Sequence, residues 1–216
     1  MFQGKKVANL KGLATLYAET IQIITLENTG IKSISDLKGK RVAVGAAGSG
    51  TEANARQIME AYGLTYNDIK VQYLSFGEAA GALKDGNVDV AFVTAGYPTA
   101  AIQDIATQNK VVLVPVEKEK ADALIKKYPF YTTDKIPAKT YTGVDKDVEA
   151  VAVKAMLAVT DKMDADLGYK VAKAIYTNTD RIQAAHAQGK NVTKATAAAG
   201  MSLPLNAGAD KFYKEK

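Results

Sequence analysis

The segment Gly45-Ala46-Ala47-Gly48-Ser49-Gly50-Thr51-Glu52 has the residue types for binding chemistry. It lies between a predicted strand, Lys40–Gly45, and a predicted helix, Thr51–Tyr62. Glycine lets the chain turn sharply and lets a ligand approach the main chain. A helix N-terminus offers unpaired N–H groups and a partial positive charge, a combination that binds carboxylate or phosphate. Ser49 and Thr51 add hydroxyl donors. The same residues also serve as an ordinary N-cap and tight turn, so the two readings stand level on the residues alone. A second candidate is Thr94-Ala95-Gly96-Tyr97-Pro98, directly after the predicted strand Val88–Val93. Loops at the carboxyl ends of strands are where open α/β sheets bind ligands. Gly96 allows close approach, Tyr97 offers a ring face and a hydroxyl, and Pro98 suits a first helical turn; a plain strand-to-helix turn is the alternative. The third is Leu16-Tyr17-Ala18-Glu19-Thr20, where Tyr17 and Glu19 line a cleft or decorate a surface turn.

Other chemistries find little here. Gly48-x-Gly50-x-x-Ala53 fits the dinucleotide fingerprint in form, but the required acid is misplaced. Asp68 has the spacing and precedes the next strand; Glu78 follows that strand and lies too far along. A phosphate loop of the Walker type fails, because Thr51-Glu52 stand where Lys-Ser/Thr is needed. The one histidine, His186, reads as a helix surface residue, and there is no cysteine. Serine nucleophiles therefore lack a base, metals lack nitrogen and sulfur ligands, and disulfides are excluded. The reading is a protein with no catalytic residues, no metal and no cofactor.

These candidates need a folded frame. Hydrophobic residues make up 47% of the 216 and charged ones 24%, enough for a sizeable core. A net charge of +5 favours anionic partners at long range. The lysines at 118, 120, 126 and 127 alternate with acids, which reads as a solvated helix face and not a nucleic-acid surface. No apolar run reaches membrane-spanning length. Met1–Lys6 shows no signal-peptide pattern. Short apolar runs at Gly12–Ala18 and Ile21–Leu26 read as two strands. From residue 40 to 127 strands alternate with helices, which predicts a parallel sheet covered by helices. The pattern changes near residue 130, and Asp147–Met163, Asp166–Tyr176, Asp180–Ala187, Val192–Ala199 and Ala209–Lys214 read as helices.

The run Asp36–Glu52 resembles the signature of TAXI-type receptors of TRAP transporters. The stretches Ala55–Ile58, Ala61–Leu64, Leu74–Ala79 and Leu83–Phe92 continue the likeness, as do Thr94–Pro98 and Leu203-Pro204-Leu205. The resemblance implies an α/β, type II periplasmic binding protein-like fold of two lobes that close on a ligand between them. It implies one lobe over 31–130 and an incomplete first lobe over 1–30 and 131–216. It further implies a periplasmic receptor that hands a small carboxylate, glutamate-like, to TRAP membrane permease subunits without entering the membrane. Gly48, Ser49, Gly50 and Thr51 would hold the carboxylate. Gly96, Tyr97 and Pro98 would form a wall, and Tyr17 and Glu19 would contribute from the first lobe, Glu19 receiving an ammonium group. Family members begin with a further segment, so an exposed sheet edge that favours dimers is expected. Asn206 stands where the family's ending has His. Two rival readings are a cytoplasmic dinucleotide-dependent enzyme fragment and an intracellular ligand-sensing domain.

Overall fold

The computed structural model describes residues 7–215, so the leader-free reading of Met1–Lys6 lies outside the described residues. The elements in chain order are β1 (Leu10–Leu26), β2 (Arg41–Ala43), α1 (Gly50–Ala61), β3 (Lys70–Gln72), α2 (Phe76–Lys84), β4 (Val90–Ala95) and α3 (Ala100–Gln108). They continue with β5 (Val111–Leu113), α4 (Lys118–Lys127), β6 (Thr132–Ile136), β7 (Val148–Thr160), α5 (Ala165–Thr177), α6 (Thr179–Ala185) and α7 (Ala207–Lys214). The strands form one mixed sheet in the order β3-β2-β4-β1-β7-β6, with β5 pairing β1.

Two compact units divide the described chain, one over 19–153 and one over 7–18 with 154–215. Both divisions fall inside strands β1 and β7, where the sequence reading set them at 30/31 and 130/131. Hydrogen bonding accounts for the difference. Thr20–Leu26 pair with β4 and β5, and β6 pairs with Val148–Ala152, which ties these residues to the unit over 19–153.

In that unit β2 runs parallel to β3 and to β4, while β1 is antiparallel to β4 and β5. The parallel strands β3, β2 and β4 therefore end at one edge, and helices α2, α1 and α3 start there. The core on one face gathers Ile21, Ile23, Val42, Ile58, Met59, Val90 and Phe92. The other face holds Ile24, Leu83, Ala91, Ile102, Ile105 and Val111. Alternate residues of β1 and β4 thus enter opposite cores, as the two-residue period of a strand requires. Arg41 fastens the opposite edge: its guanidinium donates to both carboxylate oxygens of Asp89 at 2.5 and 3.1 Å and to the Gly86 carbonyl at 2.6 Å. That pair holds the Asp89 carboxyl below its ordinary range.

The other unit packs α5 against α7. Gly208 allows this approach, since a Cβ there would lie 1.7 Å from the Ala165 carbonyl oxygen. Asn206 caps α7 by accepting from the Gly208 and Ala209 amides at 2.9 and 3.4 Å, and its amide donates to the Met163 carbonyl at 3.1 Å. Asparagine at this position is therefore explained by capping. Tyr176 and Tyr213 donate to the carbonyls of Thr15 and Leu13, joining the helices to the first half of β1.

Three local readings are corrected. The two strands expected before residue 27 are one continuous strand of 17 residues, because no glycine, proline or asparagine interrupts Leu13–Leu26. The helix expected over Asp147–Met163 is instead the strand β7, Val148–Thr160; pairing with β6 over Val148–Ala152 and the place of β7 between β1 and β6 in the sheet override the helix propensity of its alanines. Val192–Ala199 holds only a short 3-10 turn, Lys194–Thr196. Among the described residues no helix is long and apolar enough to cross a membrane.

Candidate functional site at the carboxyl edge of the sheet

The chain leaves β2 at Ala43, turns through Gly45 and Gly48, and enters α1 at Gly50. Gly45 has φ +98 and Gly48 φ +72, left-handed values that L side chains rarely adopt. Gly45 has no room for a side chain: a Cβ there would lie 2.8 Å from Thr51 Cβ. Ser49 is the N-cap, its hydroxyl accepting from the Glu52 amide at 3.2 Å. The Ala53 amide returns to the Ser49 carbonyl at 3.2 Å. The amides of Gly50 and Thr51 have no acceptor among the described residues. Open space lies over Gly50, since a Cβ there would meet nothing within 4 Å. Thr51 is 6% exposed, and its hydroxyl has no hydrogen-bond partner among the described residues. Ser49 thus caps the helix, while the Gly50 and Thr51 amides remain without an acceptor among the described residues.

The second candidate loop follows β4. Gly96 is buried, and the Tyr97–Pro98 peptide bond is cis. The Tyr97 hydroxyl donates to the Lys135 carbonyl at 3.2 Å. A buried polar network holds the loop from behind. Gln22, fully buried, donates to the Ala95 carbonyl at 3.2 Å and to the Thr99 hydroxyl at 2.8 Å. The Tyr141 hydroxyl donates to the Gln22 side-chain oxygen and accepts from the Thr99 amide at 2.9 Å. The Thr99 hydroxyl then donates to the Gly96 carbonyl at 3.0 Å. Burial pushes the Tyr141 hydroxyl above its ordinary range, which keeps it a neutral donor.

A second bridge links α1 to the end of β4. The Thr94 hydroxyl donates to the Asn54 side-chain oxygen at 3.1 Å, and the Asn54 amide donates to the Tyr131 hydroxyl at 2.6 Å. Sequence reading named none of Gln22, Asn54, Thr99, Tyr131 and Tyr141. Gln22 carried a signal: it is the one polar side chain with an amide inside the apolar run Ile21–Leu26.

The third candidate is divided. The register pairs Thr20 with Ala95, which puts the Glu19–Thr20 end of that pairing at the same edge as the loop after β4. Thr20 donates to Asp134 at 2.5 Å. Glu19 is partly buried, and that desolvation raises its carboxyl above the usual glutamate range. Tyr17 belongs to the other unit, where it lines a separate cavity. The structure thus gathers Gly48, Ser49, Gly50, Thr51, Gly96, Tyr97, Pro98 and Glu19 in one unit, with Tyr17 outside it. The two acids considered for a dinucleotide are engaged elsewhere. Asp68 accepts from the Thr65 amide at 2.8 Å and Glu78 from the Ser75 amide at 2.8 Å, each closing a helix cap. Among the described residues no group of three histidine or acidic side chains could hold a metal.

The sequence model of the NMT1-like family matches residues 1–216. A protein of Escherichia coli (strain K12) named for binding aliphatic sulfonates is 36% identical over 80 residues, which is 37% of this chain and 25% of that protein. Among solved structures, the periplasmic aliphatic sulphonate binding protein SsuA from Escherichia coli superposes with a TM-score of 0.52 at 19% identity; the match covers 96% of this chain and 59% of that one. The alkanesulfonate-binding protein SsuA from Xanthomonas axonopodis pv. citri, bound to MOPS, gives 0.51 at 16% identity over 96% of this chain and 60% of that one. The chain spans about three fifths of the length of these structures. Its fold is the mixed α/β, type II periplasmic binding protein-like one expected from the sequence. These relatives are binding proteins and not enzymes. The resemblance to TAXI receptors of TRAP transporters is corrected by the family match. A glycine loop between strand and helix is a feature of fold and does not by itself select a transporter class.

Proposed function

Because the chain belongs to the NMT1-like family, we propose that it is the solute-capturing part of a periplasmic binding protein. It takes a small organic anion by the anion's acidic head group and delivers it to the membrane permease of an ABC-type transporter. The observation that carries the reading is the N-terminus of α1, where the Gly50 and Thr51 amides have no acceptor among the described residues and Gly50 leaves open space beside it. Free amides on a helix N-terminus suit the oxygens of a sulfonate or of a carboxylate. The names of the relatives favour the sulfonate. Gly48 and Ser49 shape the entry, and Gly96, Tyr97 and Pro98 form the neighbouring wall at the same sheet edge. Glu19, held partly desolvated, sets the limit on how much negative charge the site accepts; a solute with an ammonium group would relieve it.

The test is calorimetric titration of the chain with ethanesulfonate, taurine, glutamate and succinate, alongside Gly50→Val. That substitution fits the fold, since its Cβ meets nothing within 4 Å, yet it covers the free amides. At least one acid should bind the wild type, and the variant should lose at least tenfold in affinity. Equal affinity in the variant would remove α1 from the site.

A further inference from the structure

The last part of β7, Lys154–Thr160, belongs to the unit over 7–18 and 154–215 and reads Lys-Ala-Met-Leu-Ala-Val-Thr. It is a sheet edge. β7 stands between β1 and β6, but β6 pairs only with Val148–Ala152 and goes no further. Outside strand pairing, no main-chain hydrogen bond reaches Lys154–Val159 from elsewhere among the described residues. One side of this segment therefore presents N–H and C=O groups with no strand beside them, a template for a further strand. We infer that a second copy of this chain pairs there, antiparallel, across a two-fold axis at Leu157.

The two strands that end the sheet are guarded against such pairing. β3 is three residues long, and β6 carries Asp134 and Lys135 and runs into Pro137. Short length, charge and proline are the usual guards of an edge. Between Lys154 and Thr160 there is none of them. Ala155, Met156, Leu157 and Ala158 are consecutive apolar residues that belong to no hydrophobic core among the described residues. Leu157 is 36% exposed, and Ala158 is exposed. The segment is also complementary to itself. Antiparallel pairing about Leu157 sets Lys154 opposite Thr160, Ala155 opposite Val159, Met156 opposite Ala158, and Leu157 opposite its own copy. A small residue then faces a larger one on each side of the axis, and no charge faces a like charge, both of which favour cross-strand pairs. A contact of this kind uses the same surface on both chains and closes at two copies.

The test is sedimentation equilibrium of the full chain over a range of concentrations, with Leu157→Lys, Leu157→Glu and an equimolar mixture of the two. The wild-type mass should rise from one chain of 22.9 kDa toward two as concentration rises. Each single variant should weaken self-association at least tenfold, because it sets like charges opposite each other across the axis. Their mixture should associate again, as a pair of one lysine chain and one glutamate chain, which misfolded variants would not do. A wild type that stays one chain at every concentration would overturn the self-pairing and leave the edge to a strand of another protein. A dimer that Leu157→Lys leaves intact would overturn the place of contact. Association lost in both variants and not regained on mixing would overturn the two-fold register at Leu157.

Discussion

Replacing Tyr141 with Phe removes one oxygen and leaves the ring volume in place. The consequence follows from what that oxygen touches. In the wild type it accepts from the Thr99 amide at 2.9 Å and donates to the Gln22 side-chain oxygen. Tyr141 is 2% exposed and Gln22 fully buried, so water does not readily replace the lost partner. A buried polar group left without a partner costs about 1–3 kcal/mol. Two such groups, one of them only half-buried, place the expected loss at about 2–4 kcal/mol. Phe fills the same space, so no cavity penalty adds to it. With a urea slope of about 2 kcal/mol/M, the midpoint should fall by roughly 1–2 M at unchanged slope. The Thr99 amide should also lose its protection from hydrogen exchange, a local readout that a general destabilisation at the far edge would not select. Tyr128→Phe is the control, since that hydroxyl reaches Glu60 at an exposed position. A midpoint for Tyr141→Phe within about 0.3 M of wild type, with Thr99 still protected, would refute the claim that this network holds the Gly96–Thr99 loop.

Gly45→Ala should destabilise by more than about 2 kcal/mol, because it combines a strained φ with a clash against Thr51; Gly48→Ala, at φ +72 in open space, should cost about 1 kcal/mol, and urea unfolding compares them. The Glu19 carboxyl titrates above its ordinary 4.5, so its contribution to stability is full below that value and is lost as pH rises through the folded-state value. The advantage of wild type over Glu19→Gln in thermal unfolding should therefore shrink between pH 4 and pH 7, and a constant difference would contradict the desolvation. Asp89 behaves oppositely: its folded value lies below the usual 3.8, so the stability it adds is present above that range and lost as pH falls through the folded value. Asp89→Asn should lower the midpoint at pH 7 and converge with wild type in strong acid.

Much of the unit over 19–153 was legible because each element there announces itself locally. Ser49 before the helix, Gly63 after it, the Asp85-Gly86 turn and the valine-rich runs carry their own start and stop signals. The glycine loop was readable for the same reason. What escaped was decided by partners distant in sequence. Val148–Thr160 reads as helix from its alanines, and it is pairing with β6 on one side and β1 on the other that makes it a strand. Tyr141 sits 119 positions from Gln22, and nothing local to either announces the bond between them. The transporter class was misread because the residues that carried the resemblance build the fold itself, and fold does not select a partner.

The most direct test of the central claim is amide NMR of the chain titrated with ethanesulfonate and with glutamate, reading Gly48, Ser49, Gly50 and Thr51. The account predicts saturable shifts of the Gly50 and Thr51 amides with at least one of the two acids, abolished in Gly50→Val while the remaining spectrum stays folded. Saturable binding that leaves all four amides unmoved would contradict it, and so would an unchanged titration in the variant.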